Sequence, residues 1–504
     1  MKVLLLNPPF DAPKNAGIGL SFPLGLGYLA TALKKTGIEV VGLDCAMGLP
    51  PYEIEKGIIH YGLTLKQLEE RIEELKPDIV GISCFFSSRF PAASEVAKVI
   101  KNIDPKITIV TGGVHPSLMP QKVCSRPEFD YVVIGEGEES FVSLVSAIET
   151  KSDIAHIDGI AFKRDGNVFV NPKTRFNNDL DILGYPDWEL FDLARYLDLH
   201  EKRWGLGDGR YAPMVTSRGC PHHCTFCSIH GVMGSKYRFR SAEHVISEIE
   251  VLVSKYGIDE ISFEDDNFTH DRQRFIKICQ GIIEKNIKIK WNTPNGVHVG
   301  SLDEEAIHWA KMAGCDSLNL AVESGDETIR NRVIKKGLKS EKIYEVAKAC
   351  HKAGIRPNAY FVIGMPGESD TSVNNTQKYI EDLHFDNLSI FIATPTPGTS
   401  FYDECVAKGY IKPDLYENEF INFRAAIFTQ PSIQTSEFDR NQIALWRHRL
   451  LIAYYRSSLH RSYISWMVRN PKAWLAMNLK VLIYAILGER LSFVVTDKLK
   501  ALMN

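Results

Sequence analysis

The chain has 504 residues, too many for one hydrophobic core, so two or three domains are expected. Its 44% hydrophobic and 24% charged residues are ordinary for a folded protein, and a net charge of −3 gives no electrostatic reason to expect a nucleic-acid partner. No run reaches the roughly 18 apolar residues of a membrane span; the ten cysteines, three of them in one short loop, suggest a reducing, cytoplasmic compartment rather than a disulfide framework.

The chain opens on Met1-Lys-Val-Leu-Leu-Leu-Asn7, too short an apolar run for a signal peptide, which reads as a strand. Within residues 1–148, strand-like apolar runs at 3–6, 40–43, 79–83, 107–111 and 131–134 alternate with helical patterns at 25–36, 65–75, 94–102 and 139–148. Strands this apolar are buried on both faces, which predicts an α/β, doubly wound parallel sheet of the Rossmann-like, flavodoxin-like kind. Ligands bind such sheets at the carboxyl ends of the strands. Those ends carry Asn7-Pro8-Pro9, Ser83-Cys84, Thr111-Gly-Gly-Val-His115 and Gly135-Glu-Gly-Glu138, where glycine lets a bulky ligand approach the backbone. Glycine is also common in the turns of any α/β domain.

Asn7-Pro8-Pro9, Phe22-Pro-Leu-Gly-Leu-Gly27, Gly112-Gly113 and Gly135-Glu-Gly-Glu-Glu139 resemble the cobalamin-binding domain that precedes many radical S-adenosylmethionine (SAM) domains. The resemblance implies a cobalamin site involving Asn7, Pro8, Ser83, Gly112, Gly113, Gly135 and Gly137. The D-x-H-x-x-G motif that supplies a histidine to cobalt in other cobalamin proteins is absent, so no lower axial ligand is named.

Residues 149–210 read as a connector with a small hairpin turning at Arg164-Asp-Gly-Asn167, a helical stretch after Tyr185-Pro-Asp-Trp188, and a glycine- and charge-rich strap at 201–210. Packing is the expected role of Trp188 and Trp204.

Six further strand-like runs, at 213–216, 260–263, 289–293, 317–321, 359–363 and 388–392, predict a partial (β/α)6 barrel over 211–410. Chemistry in βα barrels sits at the carboxyl ends of the strands. After the first strand comes Ser217-Arg-Gly-Cys-Pro-His-His-Cys-Thr-Phe-Cys-Ser228, in which Cys220, Cys224 and Cys227 follow the spacing C-x3-C-x2-C with no fourth cysteine close by. Three thiolates can hold three corners of a [4Fe-4S] cubane and leave one iron open for chemistry. The rival is a zinc site completed by His222 or His223.

The spacing resembles the radical SAM superfamily, which implies that the open iron chelates SAM and that Phe226 lies against its adenine. Further strand ends extend the resemblance. Asp265 and Asp266, in Phe263-Glu-Asp-Asp-Asn-Phe-Thr269, stand where the family places acceptors for the SAM ammonium. Ala321-Val-Glu-Ser-Gly-Asp326 resembles the ribose segment, with Glu323 toward the hydroxyls and Ser324 toward the carboxylate. Gly364-Met-Pro-Gly-Glu368 resembles the adenine cradle, and Thr394-Pro-Thr-Pro-Gly-Thr399 a family turn. Arg238 and Arg240 are read either as partners of SAM or cobalamin side chains or as ordinary salt bridges.

Residues 411–504 read as a helical C-terminal region, with helices at 440–465 and 474–487 broken by Pro471. From Gln434 onward eleven Lys and Arg face only Glu437, Asp439, Glu489 and Asp497, a pattern that suits either a cap on the barrel or peripheral contact with an anionic membrane surface.

The whole resembles the cobalamin-dependent radical SAM enzymes. That implies a methyltransferase acting on an unactivated carbon of a small-molecule or lipid-like substrate, fed by a flavodoxin- or ferredoxin-type electron donor. A non-methylating reaction of the oxidative-cyclase type is the alternative within enzymes, and a non-catalytic cobalamin and iron–sulfur protein the alternative outside them. Methylthiolation of tRNA is disfavoured, because Cys45, Cys84 and Cys124 do not sit in the motifs of that family's second cluster.

Overall fold

A computed structural model describes residues 1–13, 20–47, 50–198, 210–411 and 432–457. Five parallel strands (Lys2–Asn7, Glu39–Asp44, Ile79–Ser83, Thr108–Gly112 and Tyr131–Val133) form the first sheet, with Lys2–Asn7 lying between Glu39–Asp44 and Ile79–Ser83. This is the 2-1-3-4-5 order of flavodoxin-like folds, whose crevice opens between the first and third strands. Alternation explains the double burial: Val3 and Leu5 enter one core while Leu4 and Leu6 enter the other, all with no exposed surface.

The hairpin expected in the connector belongs to this sheet. Ile160–Arg164 pairs antiparallel with Tyr131–Val133, and Asn167–Asn171 forms the edge. Asp165 (φ +50°) and Gly166 (φ +76°) make the two-residue turn with positive φ at both positions that matches strand twist. The connector then packs back on the first helix, where Phe22 meets Trp188 at 4.8 Å between ring centroids and also touches Phe191 and Tyr196. A Cβ at Gly27 would lie 3.0 Å from Pro186, so this glycine admits the connector.

The second sheet has six parallel strands in sequence order: Tyr211–Met214, Glu260–Phe263, Lys290–Asn292, Cys315–Glu323, Arg356–Ile363 and Asn387–Ile392. Its first and last strands do not pair, so the barrel stays open. The helix Arg440–Ser457 packs on the last two strands and the helix Asp370–Leu383: Trp446 Nε1 donates to Asp370 at 2.8 Å, Arg447 Nε donates to the Ile390 carbonyl at 2.9 Å, and Ile443 packs on Gly364. Of the two expectations for the tail, this stretch fits the cap. The second tail helix, Trp204 and the 201–209 part of the strap lie outside the described residues. No helix among the described residues is long and apolar enough to cross a membrane.

Candidate active site

The cysteine loop is fixed from several sides. Ser217–Arg218 pairs antiparallel with Arg238–Phe239, and Gly219 (φ +77°) leaves no room for a Cβ, which would stand 2.4 Å from the Lys236 carbonyl. His230 Nε2 lies 2.8 Å from the Cys220 carbonyl, Thr225 N donates to the Ile334 carbonyl at 3.0 Å, and Phe401 N donates to the Thr225 carbonyl at 3.0 Å. Cys220 and Cys224 are half-buried and Cys227 is exposed; Phe226 is half-buried against the core. Burial pushes the Cys224 thiol up to about 11, so the thiolate form needs a metal beside it. His222 stacks on His298 with centroids 3.8 Å apart. Among the described residues no three His, Cys, Asp or Glu are grouped closely enough to hold a metal ion.

The two adjacent aspartates separate. Asp265 is buried and takes up its own strand neighbours, accepting from Thr216 N at 3.1 Å, from Thr216 Oγ1 at 2.7 Å and from the Ser217 hydroxyl. Asp266 turns to the cysteine loop, where Gly219 N donates to it at 3.2 Å. Burial, then the neighbouring Asp265, raises its carboxyl to about 7.

Glu323 ends the fourth barrel strand at a bulge and adopts φ +67°, rare for a residue with a side chain and costly by about 1–3 kcal/mol. Its carboxylate accepts from Lys336 Nζ at 2.8 Å, both groups being buried. Ser324, buried beside it, accepts from Asp326 N at 3.2 Å. Gly364 has φ +87°, and the Glu368 side chain folds back to accept from the Gly364 and Met365 amides. Burial raises the Glu368 carboxyl to about 8. Its other oxygen has no partner, nor do buried Asn267 Nδ2 and Thr293 Oγ1 after the second and third strands. Buried polar atoms without partners at neighbouring strand ends are what a polar ligand there would satisfy. Lys336, Asn267 and Thr293 were missed by sequence reasoning.

At the first sheet's carboxyl edge the polar side chains are occupied by one another. Asn7 Nδ2 donates to Asp44 at 2.8 Å, and Asp44 also accepts from Ala46 N at 2.9 Å and from the Tyr196 hydroxyl; Pro8 is buried beside them. The glycines there are filled by the chain itself. A Cβ at Gly113 (φ +111°) would meet the Cys84 carbonyl at 2.6 Å, one at Gly135 (φ +69°) the Val232 carbonyl at 2.8 Å, and one at Gly137 the Leu29 side chain at 3.0 Å. Gly112 would meet ordinary contacts only. The close approaches at Gly113, Gly135 and Gly137 are made by the protein itself, while the space beside Gly112 stays open to ordinary contact. Ser83 is half-buried, and just beyond it Phe85 and Phe86 are 58% and 46% exposed at the mouth of the crevice. An apolar, aromatic mouth fits the broad face of a macrocycle.

The two carboxyl edges meet. Val232, just after the cysteine loop, packs on Gly135, and Leu118, after the fourth strand of the first sheet, lies against Gly231 and Gly398 of the barrel. Tyr28 Oη donates to the Val215 carbonyl at 3.4 Å.

Residues 19–145 match the B12 binding domain and residues 214–380 the Radical SAM superfamily. The chain is 29% identical to cytidylyl-2-hydroxyethylphosphonate methyltransferase of Streptomyces wedmorensis, over 86% of this chain and 87% of that one. It is 30% identical to an uncharacterized methyltransferase of Pyrococcus horikoshii (90% and 92%) and 26% identical to the anaerobic magnesium-protoporphyrin IX monomethyl ester cyclase of Rubrivivax gelatinosus (94% and 80%). In fold it resembles the radical S-adenosylmethionine methyltransferase TsrM of Kitasatospora setae, solved with cobalamin and a [4Fe-4S] cluster, with a TM-score of 0.64 at 20% identity over 82% of this chain and 76% of that one.

Proposed function

The chain belongs to the radical SAM enzymes that carry a B12-binding domain, and from that premise we propose that it is a methyltransferase acting on an unactivated carbon of a small-molecule or lipid-like substrate. The observation that carries this reading is the match, over nearly the full length of both chains, to two proteins named as methyltransferases at 29% and 30% identity. The cofactors are a [4Fe-4S] cluster, SAM and cobalamin. Bound here, they supply a 5′-deoxyadenosyl radical and a methyl group.

In this reading Cys220, Cys224 and Cys227 hold the cluster, on a loop whose amides and carbonyls are tied to Ile334, Phe401 and His230. Asp266 reaches toward the open side of that loop, while Asp265 fixes the end of the first barrel strand behind it. Glu323 accepts from the ribose hydroxyls, and Lys336 pairs with it at 2.8 Å and fixes its direction. Gly364 and the folded-back Glu368 shape the adenine wall, closed by Ile443 from the tail helix. Phe85 and Phe86 cover an apolar face of cobalamin at the crevice mouth. The chain thereby orients both cofactors and keeps water from the radical, and no side chain is assigned as a general base. Electrons come from a flavodoxin- or ferredoxin-type donor.

A second reading, cyclisation or oxidation without methyl transfer, is favoured by the match to the cyclase over 94% of this chain. Anaerobic reconstitution with reductant and SAM, followed by product analysis with candidate substrates, separates the two. 5′-Deoxyadenosine together with S-adenosylhomocysteine is expected for methyl transfer. 5′-Deoxyadenosine alone favours the cyclase type, and neither product overturns both.

A further inference from the structure

Four charged side chains, Arg218, Arg238 and Glu136 buried and Glu138 half-buried, cross from the first sheet to the cysteine loop. Arg218, two residues before Cys220, places Nη2 at 2.6 Å from Glu138 Oε1 and Nη1 at 3.5 Å from Glu136 Oε2. Arg238, paired across the ribbon from Arg218, donates through Nη1 to Glu136 Oε2 at 2.9 Å and through its second nitrogen to Glu136 Oε1. The same guanidinium also donates to the Met233 carbonyl at 2.7 Å and the Asn177 carbonyl at 3.0 Å. Arg218, Arg238 and Glu136 are 7%, 3% and 7% exposed. Burial opposes the Arg218 charge, but Glu138 and Glu136 outweigh it and hold the guanidinium protonated. Both glutamates belong to Gly135-Glu-Gly-Glu138, at the end of the fifth strand of the first sheet.

A buried network of this kind is costly to desolvate, and its components could be replaced by apolar packing without loss of stability. What fork-to-carboxylate geometry adds is direction and register. Arg218 and Arg238 are the paired residues of the short ribbon that feeds Cys220 through Gly219, where no other residue fits. A displacement at Glu136 or Glu138 is therefore passed to the cysteines with little slack. We propose that Glu136, Glu138, Arg218 and Arg238 are positioning residues: a clamp that sets the distance between cobalamin on the first sheet and the cluster on the barrel. The proposal rests on the presence of the two cofactors and not on the choice between methyl transfer and cyclisation.

Pulsed electron paramagnetic resonance on the holoenzyme tests this, reading the coupling between the spins of cob(II)alamin and the reduced cluster. The variant E138Q/R218Q removes both charges of one arm together. It is expected to keep its iron, its cobalamin and its release of 5′-deoxyadenosine, and to lose the single well-defined coupling of the wild type. The control R272Q removes a guanidinium that holds Asp303 at 2.7 Å and also pairs with Glu305, all three within the barrel. It is expected to leave the coupling unchanged. Should E138Q/R218Q fail to fold or to hold its cofactors, E138D keeps both charges and draws the loop in by one methylene, and a shifted coupling is expected there. An unaltered coupling in whichever variant carries both cofactors overturns the proposal, as does the absence of coupling in the wild type. Because no SAM product is read in the coupling, a failure of the clamp is distinguishable from a failure of the methyltransferase reading.

Discussion

The two carboxyl edges that meet in this protein are built on opposite terms. On the first sheet, Asn7, Asp44, Tyr196 and the Ala46 amide satisfy one another, backbone fills the space beside Gly113 and Gly135, and what faces outward is Phe85 and Phe86. On the barrel, Asp266 and Glu368 are raised to about 7 and about 8, Glu323 is held at φ +67° against a buried Lys336, and Asn267 and Thr293 keep polar atoms without partners. One edge offers shape and apolar surface; the other stores unfavourable burial that a polar ligand relieves. A macrocycle can be held by the first kind of surface, whereas a charged nucleotide needs the second.

The sharpest way to break this contrast is at the cysteines. C224A is expected to abolish cluster iron and 5′-deoxyadenosine release while leaving cobalamin uptake intact, checked by iron assay and chromatography. Next comes the buried pair: K336M strands the Glu323 carboxylate and is expected to cost about 3–5 kcal/mol in urea unfolding, with K336M/E323Q recovering most of it. A third probe uses pH. The Glu368 carboxyl, raised from 4.5 to about 8, keeps its proton when folded but loses it when unfolded above about 5. Its contribution to stability therefore falls as pH rises from about 5 to about 8, by at most about 1.4 kcal/mol per unit, and E368Q is expected to flatten that slope. On the first sheet the effects are smaller and steric. G113A, at φ +111° and 2.6 Å from the Cys84 carbonyl, is expected to cost about 1–3 kcal/mol in unfolding, against less than about 0.5 kcal/mol for G112A. F85A is expected to leave Tm unchanged and weaken cobalamin retention by about tenfold or less, since a stacked aromatic contributes about 0.5–1.5 kcal/mol.

The strands of both sheets were legible because most are short apolar runs, such as Lys2–Asn7 and Ile79–Ser83 with their buried centres, and the cysteine loop because its chemistry depends on residue type and spacing. What stayed hidden depends on pairing across distance. Lys336 lies thirteen residues past Glu323, beyond the π-helical turn Ile329–Val333, and nothing local marks it as a partner. Asp265 and Asp266 are neighbours with the same side chain, and only the direction of each side chain divides them. The glycines carry no distinction in sequence, because a tight turn needs the same residue whether a ligand or another strand of protein approaches. The hairpin at Asp165-Gly166 was visible as a turn, but the sheet edge it joins is set by strands more than twenty residues earlier.

One apolar core runs without a break from Val3, Leu5 and Val133 on the inner face of the first sheet to Met214, Phe263 and Ile363 in the barrel. The halves are consequently not interchangeable modules. A chimera that joined this barrel to a foreign cobalamin domain would inherit a mismatched seam of side chains, so the halves are constrained to diverge together.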